Sequence, residues 1–298
     1  MLLDRYVMVF LLTIFLSTCQ FEQTHIPNTP TTGQVAIWAD NSFEYILPPA
    51  LHLFESIYKN ASIRYKFKSE AECIQGLLND SCKVIFISRP LSKQELVVFQ
   101  ANNLIIHQTP VAYSAVALVG KPFKETGIEL QVLKNILTED RALQIVFFKK
   151  QNGAILYVKD SLLSGKDFGP HCFVLEDSAA FRKYIFEHTN VMGILDYSYI
   201  CDDDDKWIRS FKYPQHDTLL IPLRRSRAEP AYYPDQSNIA TRAYPLVRCI
   251  YCIRRGDDFS LSAGVESFVA GEKGQILFKK MGLVPVMDRE RRLEFKPY

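Results

Sequence analysis

The chain has 298 residues, with 35 Lys and Arg against 33 Asp and Glu, a formal net charge of +2 that excludes a nucleic-acid-binding protein of generally basic surface. Hydrophobic residues make up 48% and charged residues 23%, which excludes a disordered chain, and 13 Gly with 15 Pro exclude collagen-like and low-complexity architectures. The length suits about two folding units.

In chain order, the first feature is Tyr6 to Leu16, YVMVFLLTIFL, eleven residues without a charge. It is shorter than the roughly 20 helical residues that span a bilayer, and fits the apolar part of a secretory signal peptide. Leu16-Ser17-Thr18-Cys19 at its end resembles the lipobox of bacterial lipoproteins, where the chain is cut before a cysteine that carries the lipid. The resemblance implies a signal peptide over 1–18, lipidation at Cys19 and a membrane anchor. An ordinary secretory signal with an incidental cysteine is the other reading. Residues 19–33, with two prolines and four threonines, read as a flexible tether.

From residue 34 short apolar runs alternate with amphipathic stretches. VAIWAD (35–40) reads as a buried strand, and residues 42–60 as a helix with Leu51, Phe54, Ile57 and Tyr58 on one face. ASIRYKFK (61–68) is a strand of period two, EAECIQGLLND (70–80) a helix, KVIFIS (83–88) a buried strand, and residues 92–101 a helix. Alternation at this pitch predicts an α/β fold built on a mainly parallel sheet. A long extended segment, 104–120, is interrupted by Pro110 and leads into a second unit of the same logic. That unit has a helix over 129–137, a strand over 142–148, helices over 153–163 and 179–187, and a strand over 191–197. An irregular connection over 202–234 follows, then a strand over 244–254 and helices over 260–280 broken near Gly271. An excursion and return of this kind predicts two lobes, 34–110 with 235–298 and 111–234, joined by two crossing strands around a ligand cleft.

In such sheets ligands gather where strands end and helices begin. Asp40-Asn41-Ser42-Phe43 is the first such junction: it reads either as an anion-binding turn or as a plain helix cap. At the second, Ser88-Arg89-Pro90-Leu91-Ser92, Arg89 offers a planar fork of donors suited to an oxyanion, or pairs with an acid at the rim. At the third, Asn152 and Gly153 offer an amide and bare backbone donors, with a simple turn as the favoured reading.

Together these junctions, with Glu95, Tyr244-Pro245-Leu246-Val247-Arg248 and GVESFVAGEKGQILFKKMGLVP over 264–285, resemble the substrate-binding lipoproteins of phosphate ABC transporters. The resemblance covers nearly all of 34–297 and implies a type 2 periplasmic-binding-protein fold. By position it places Ser42 and Phe43 at the family's first phosphate loop, Ser88 and Arg89 at the second, and Asn152 and Gly153 at the third. The family's third loop is rich in hydroxyls, which Asn152-Gly153-Ala154 lacks. The function implied is capture of inorganic phosphate or a similar oxyanion for an ABC permease in the inner membrane, by a lipid-anchored protein facing the periplasm. The competing expectation is an interaction or sensory lipoprotein of this fold with altered phosphate binding.

No cofactor and no metal site are expected. The six cysteines from Cys73 to Cys252 are an even number that permits disulfides in an exported chain, but their spacing gives no small-scaffold framework; Cys249-Ile-Tyr-Cys252 lacks a second ligand pair and lies in a strand, so buried structural thiols are the favoured reading. The run Asp202 to Asp205 reads as a solvated loop, since adjacent carboxylates lack the spacing of a calcium loop. No enzyme is expected: there is no GxSxG or HExxH, and His107 and His171 read as structural.

Overall fold

The computed structural model describes residues 27–287 except 124–125, 140–141, 151 and 205–218. The expected signal segment, Cys19 and residues 205–218 of the irregular connection expected over 202–234 lie outside the described residues.

The expected alternation holds. β1 (Gly33–Asp40) pairs in parallel with β2 (Ala61–Lys68) and β3 (Val84–Ile87). β3 is buried throughout, as a continuous apolar run between two covered faces should be. α1 (Leu47–Ile57) begins later than the apolar pattern suggests. Pro48 and Pro49 fall in its first turn, where a missing N–H costs little, and a separate 3₁₀ turn, Asn41–Phe43, precedes it. α2 (Glu70–Leu78) and α3 (Lys93–Ala101) each start with a capping box, Ser69 with Glu72 and Ser92 with Glu95. Their apolar residues Cys73, Leu77 and Phe99 cluster with Ile85 and Ile87 of β3.

β4 (Ile106–Gly120) belongs to both halves of the sheet. Through Ala115 it runs antiparallel to β10 (Val247–Arg255), and from Val116 antiparallel to β8 (Val191–Asp196). β8 then pairs in parallel with β6 (Gln144–Phe148), and β6 with β7 (Cys172–Leu175), which the apolar pattern did not single out. The order is β2-β1-β3-β10-β4-β8-β6-β7, with β11 (Val284–Pro285) on β4 and a separate pair of β5 (Ile128–Glu129) and β9 (Leu223–Arg224). In the second half the helices are α4 (Leu130–Thr138), α5 (Gly153–Tyr157) and α6 (Ser178–Glu187). The helix expected over 153–163 is α5 followed by a wider π turn, Val158–Leu162. α7 (Gln236–Ala240), α8 (Leu261–Ala270) and α9 (Glu272–Lys280) complete the chain's helices among the described residues.

Pro110 does not end β4, because the ladder slips beside it. Ile250 faces Ala112 and Tyr251 faces Pro110, so Val111 has no partner on β10, and a bulge of this kind tolerates the missing N–H. Gln275 on α9 takes up the freed Val111 carbonyl at 2.7 Å. Its Nε2 also donates to Val269 O at 2.8 Å, and its Oε1 accepts from the N–H groups of Val286 and Met287 at 2.9 and 3.1 Å. The Gln of the GEKGQ stretch thus ties β4, α8 and the chain after β11 together.

Residues 27–33, expected within the tether, are docked on α8. Asn28 Oδ1 accepts from the Leu261 N–H at 2.9 Å, and the Pro30 carbonyl lies against Gly264, where a Cβ would collide with it. The six cysteines are free thiols, and burial pushes Cys82 up to about 12 and Cys172 and Cys249 up to about 11, the behaviour of structural rather than reactive groups.

Replacing Gln275 with Leu strands two carbonyls and two N–H groups, so Gln275→Leu is expected to lower the unfolding free energy by about 3 kcal/mol in urea titrations. The exposed neighbour change Lys273→Ala should stay within about 0.5 kcal/mol.

Candidate functional site

Two strands of opposite halves, β1 and β8, end in the same local pattern. Asp40-Asn41-Ser42 and Asp196-Tyr197-Ser198 each place a carboxylate two residues before a serine whose N–H it accepts, at 2.9 Å from Asp40 Oδ1 and 2.8 Å from Asp196 Oδ1. Each starts a 3₁₀ turn, and the two turns face each other. Ser198 Oγ donates to the Ser42 carbonyl and the Tyr199 hydroxyl to the Asn41 carbonyl, both at 2.5 Å.

Both carboxylates are fully buried, so each must be met by donors. Asp196 is answered by charge: Arg248 Nη2 forms an ion pair with its Oδ2, while the Ser114 hydroxyl donates to Oδ1 at 2.9 Å. Arg248 reaches further, donating through Nη1 to Ser88 Oγ at 2.8 Å. Asp40 is answered by neutral donors. Besides the Ser42 N–H and hydroxyl, it takes the Gly153 N–H on both oxygens, at 3.0 and 3.1 Å. Burial raises the Asp40 pKa against the pull of these bonds and of Arg248, and burial lowers Arg248 to about 10.

Gly153 is a point of close approach between the two halves. A Cβ there would collide with Ser88 Oγ and lie 2.9 Å from Arg248 Nη1 and 3.3 Å from Asp40 Oδ1, so any other residue would force Ser88 or Arg248 to shift. Thus Ser42, Ser88 and Gly153 are brought together as the junctions suggested. The other expected residues are engaged elsewhere. Phe43 is 1% exposed and packs into the core. Asn152 caps α5, accepting from the Ile155 N–H at 3.0 Å and donating to Phe148 O and Lys149 O. Arg89 takes its rim alternative: it binds Glu95 through two bonds of 2.8 and 2.9 Å and Glu70 at 2.5 Å. Arg89 in turn holds the Glu95 carboxyl down at about 2.

A cavity of about 350 Å³ opens beside these groups, lined by Ser88, Arg89, Gly153, Tyr157, Arg242 and Arg248 among others. Three of its donors stand without an acceptor among the described residues. Ser88 receives a bond from Arg248 but gives none, the buried Arg248 Nε has no partner, and the Arg242 guanidinium makes only a ring contact, 4.1 Å from the centroid of Tyr113. Arg242, Arg248, Asp196, Ser114 and Ser198 were not singled out as site residues. The repeated Asp-x-Ser at two strand ends is the signal that finds Asp196 and Ser198; nothing local marks Arg242. His171 is structural, with Nε2 donating to the Ile136 carbonyl at 2.6 Å, and His107 lies 3.8 Å from Asp258.

A two-winged sheet crossed by one long strand, with strand ends and turns meeting over a cleft, defines a solute-binding fold. The chain belongs to the PBP superfamily, whose domain model matches residues 26–270. Among solved structures it is similar to a protein from Clostridium perfringens described as a phosphate ABC transporter substrate-binding protein with bound phosphate, at 14% identity and a TM-score of 0.66, covering 86% of this chain and 100% of that one. It is similar also to an ABC-type phosphate transport receptor from Vibrio cholerae, at 15% identity, TM-score 0.65, covering 85% and 100%. A third likeness is to PstS from Borrelia burgdorferi, at 17% identity, TM-score 0.58, covering 86% and 99%. At these identities the likeness establishes the fold. No curated protein matches the chain by sequence.

Arg248→Met leaves the Asp196 carboxylate buried without its counter-charge and is expected to cost about 3–5 kcal/mol in chemical denaturation. The double change Arg248→Met with Asp196→Asn removes that charge and should recover a large part of the loss, a coupling that a double-mutant cycle reads directly.

Proposed function

We propose that this protein is an exported, lipid-anchored solute-binding protein that captures phosphate or a similar tetrahedral oxyanion and delivers it to an ABC permease in the inner membrane. The observation that carries the reading is the set of three unanswered donors, Ser88 O–H, Arg248 Nε–H and the Arg242 guanidinium, at one cavity between the halves of the sheet. Ser88 and Arg248 are buried, where a donor without an acceptor is costly, Arg242 is exposed and carries its charge to the cavity mouth, and an anion with several strong acceptor oxygens answers all three. The relatives named for phosphate transport share the fold that builds this cavity. The lobes are taken as 34–110 with 235–298 and 111–234, with Ser42, Ser88, Arg89, Asn152 and Gly153 around the cleft and Phe43 contributing backbone alone. The role proposed is binding without catalysis, a reading supported by Ser42 and Ser88, the serines at the cleft, which bond to Asp40 and Arg248 and have no imidazole base among their hydrogen-bond partners in the described residues.

A second reading, an interaction or sensory lipoprotein with altered phosphate binding, is favoured by one feature. The donors of Ser42 and Gly153 already have an acceptor in Asp40, and Ala154 adds no hydroxyl.

Calorimetry with phosphate, sulfate and molybdate separates the two. Heat with phosphate is expected, and Ser88→Ala should weaken it by about tenfold or more, since a lost hydrogen bond to a charged group costs roughly 1.5–3 kcal/mol. Silent titrations at millimolar phosphate would overturn the transport reading. For the anchor, Cys19→Ala is expected to move the protein from the membrane fraction to the soluble one and to abolish incorporation of labelled palmitate; an unchanged distribution refutes lipidation at Cys19.

A further inference from the structure

The carboxylate of Asp40 does more than a helix cap requires. A cap needs the Ser42 N–H alone, yet Asp40 also receives the Ser42 hydroxyl and, across to the other half of the sheet, the Gly153 N–H on both of its oxygens. Asp196, its counterpart at the end of β8, shows the contrast: it caps Ser198 in the same way but has a guanidinium as its second partner. Among the described residues the hydrogen bonds to Asp40 come from hydroxyl and backbone donors, the kind of set that would receive the oxygens of a tetrahedral anion, while Arg248 acts on it only through space. The Gly153 N–H is already taken by both Asp40 oxygens, so an anion that accepts this N–H must take the place of the carboxylate there. Charge points the same way, because the fully buried carboxylates Asp40 and Asp196 have one buried guanidinium beside them, that of Arg248, and an anion of about −1.5 to −2 added next to both carboxylates would be repelled by them.

We infer that Asp40 is a built-in occupant of the oxyanion position, so that a ligand anion binds by displacing its carboxylate from Ser42 and Gly153, and that Asp40 thereby sets the affinity of the cleft. The inference rests on the oxyanion-binding reading above. A position that is self-occupied for about nine-tenths of the time weakens apparent binding about tenfold, because only the vacated fraction is competent.

The test is calorimetry of wild type, Asp40→Ala and Asp40→Asn with phosphate, sulfate and molybdate, each protein first shown folded by near-ultraviolet circular dichroism. Asp40→Ala is expected to bind phosphate at least about tenfold more tightly than wild type. Asp40→Asn, which keeps an acceptor for the Ser42 N–H but not the charge, should fall between them, and it carries the comparison alone if the alanine variant does not fold. Phosphate binding only after the substitution, with a silent wild type, also supports the inference. Equal or weaker phosphate binding by the variants overturns it and leaves the phosphate reading standing. Tighter sulfate or molybdate binding in the variants, with phosphate silent throughout, upholds the role of Asp40 and removes phosphate as the ligand. Silence of every protein toward all three anions overturns both.

Discussion

Two carboxylates stripped of water, Asp40 and Asp196, stand at the ends of strands in opposite halves of the sheet, and the contact between the halves is built from the donors they require. A buried charge without partners costs several kcal/mol, so these positions are tolerable only when chain from the far side is brought in. Arg248 arrives on β10 to answer Asp196, and Gly153 arrives after β6 to answer Asp40. The approach is close enough that a side chain at position 153 would displace Ser88 or Arg248. Packing, electrostatics and the placing of the cavity therefore meet at one point.

That arrangement explains why chemically similar residues have different roles. Arg89 and Arg248 both follow from arginine's planar fork of donors, but Arg89 stands at the rim between Glu70 and Glu95, where its charge is already balanced. Arg248 is buried, retains an unpartnered Nε–H and links Ser88 to Asp196. Ser42 and Ser88 diverge likewise: one hydroxyl is donated to Asp40, and the other is an acceptor with its own proton to offer. The cleft combines a satisfied part and an unsatisfied part, and the unsatisfied part borders the open volume.

Most of the first half of the fold was legible in local pattern. Apolar runs located β1, β2 and β3, and amphipathic stretches located α2 and α3, whose starts the structure shows to be capping boxes. Where the pattern misled, a neighbour was responsible. Pro110 reads as a break, yet β4 continues because the bulge at Val111 and the reach of Gln275 absorb the irregularity. The stretch 27–33 reads as tether because it is polar and rich in Pro and Thr, yet it lies on α8, where Gly264 leaves space for the Pro30 carbonyl. Neither outcome is encoded within a few residues of the place where it is seen.

The chain's own order of residues was enough to establish the α/β alternation and the strand-end junctions that carry Ser42, Ser88 and Gly153. These follow from periodicity and from backbone geometry, which act over one or two turns. Which donors meet which carboxylate was decided only by the folded chain. Asp40 and Gly153 lie 113 residues apart, and Arg248 and Ser88 lie 160 apart. Hydrogen bonds and ion pairs act over a few ångströms in space and are indifferent to distance along the chain, so the occupant of the anion position and the role of Arg248 emerge only when the two halves close on each other.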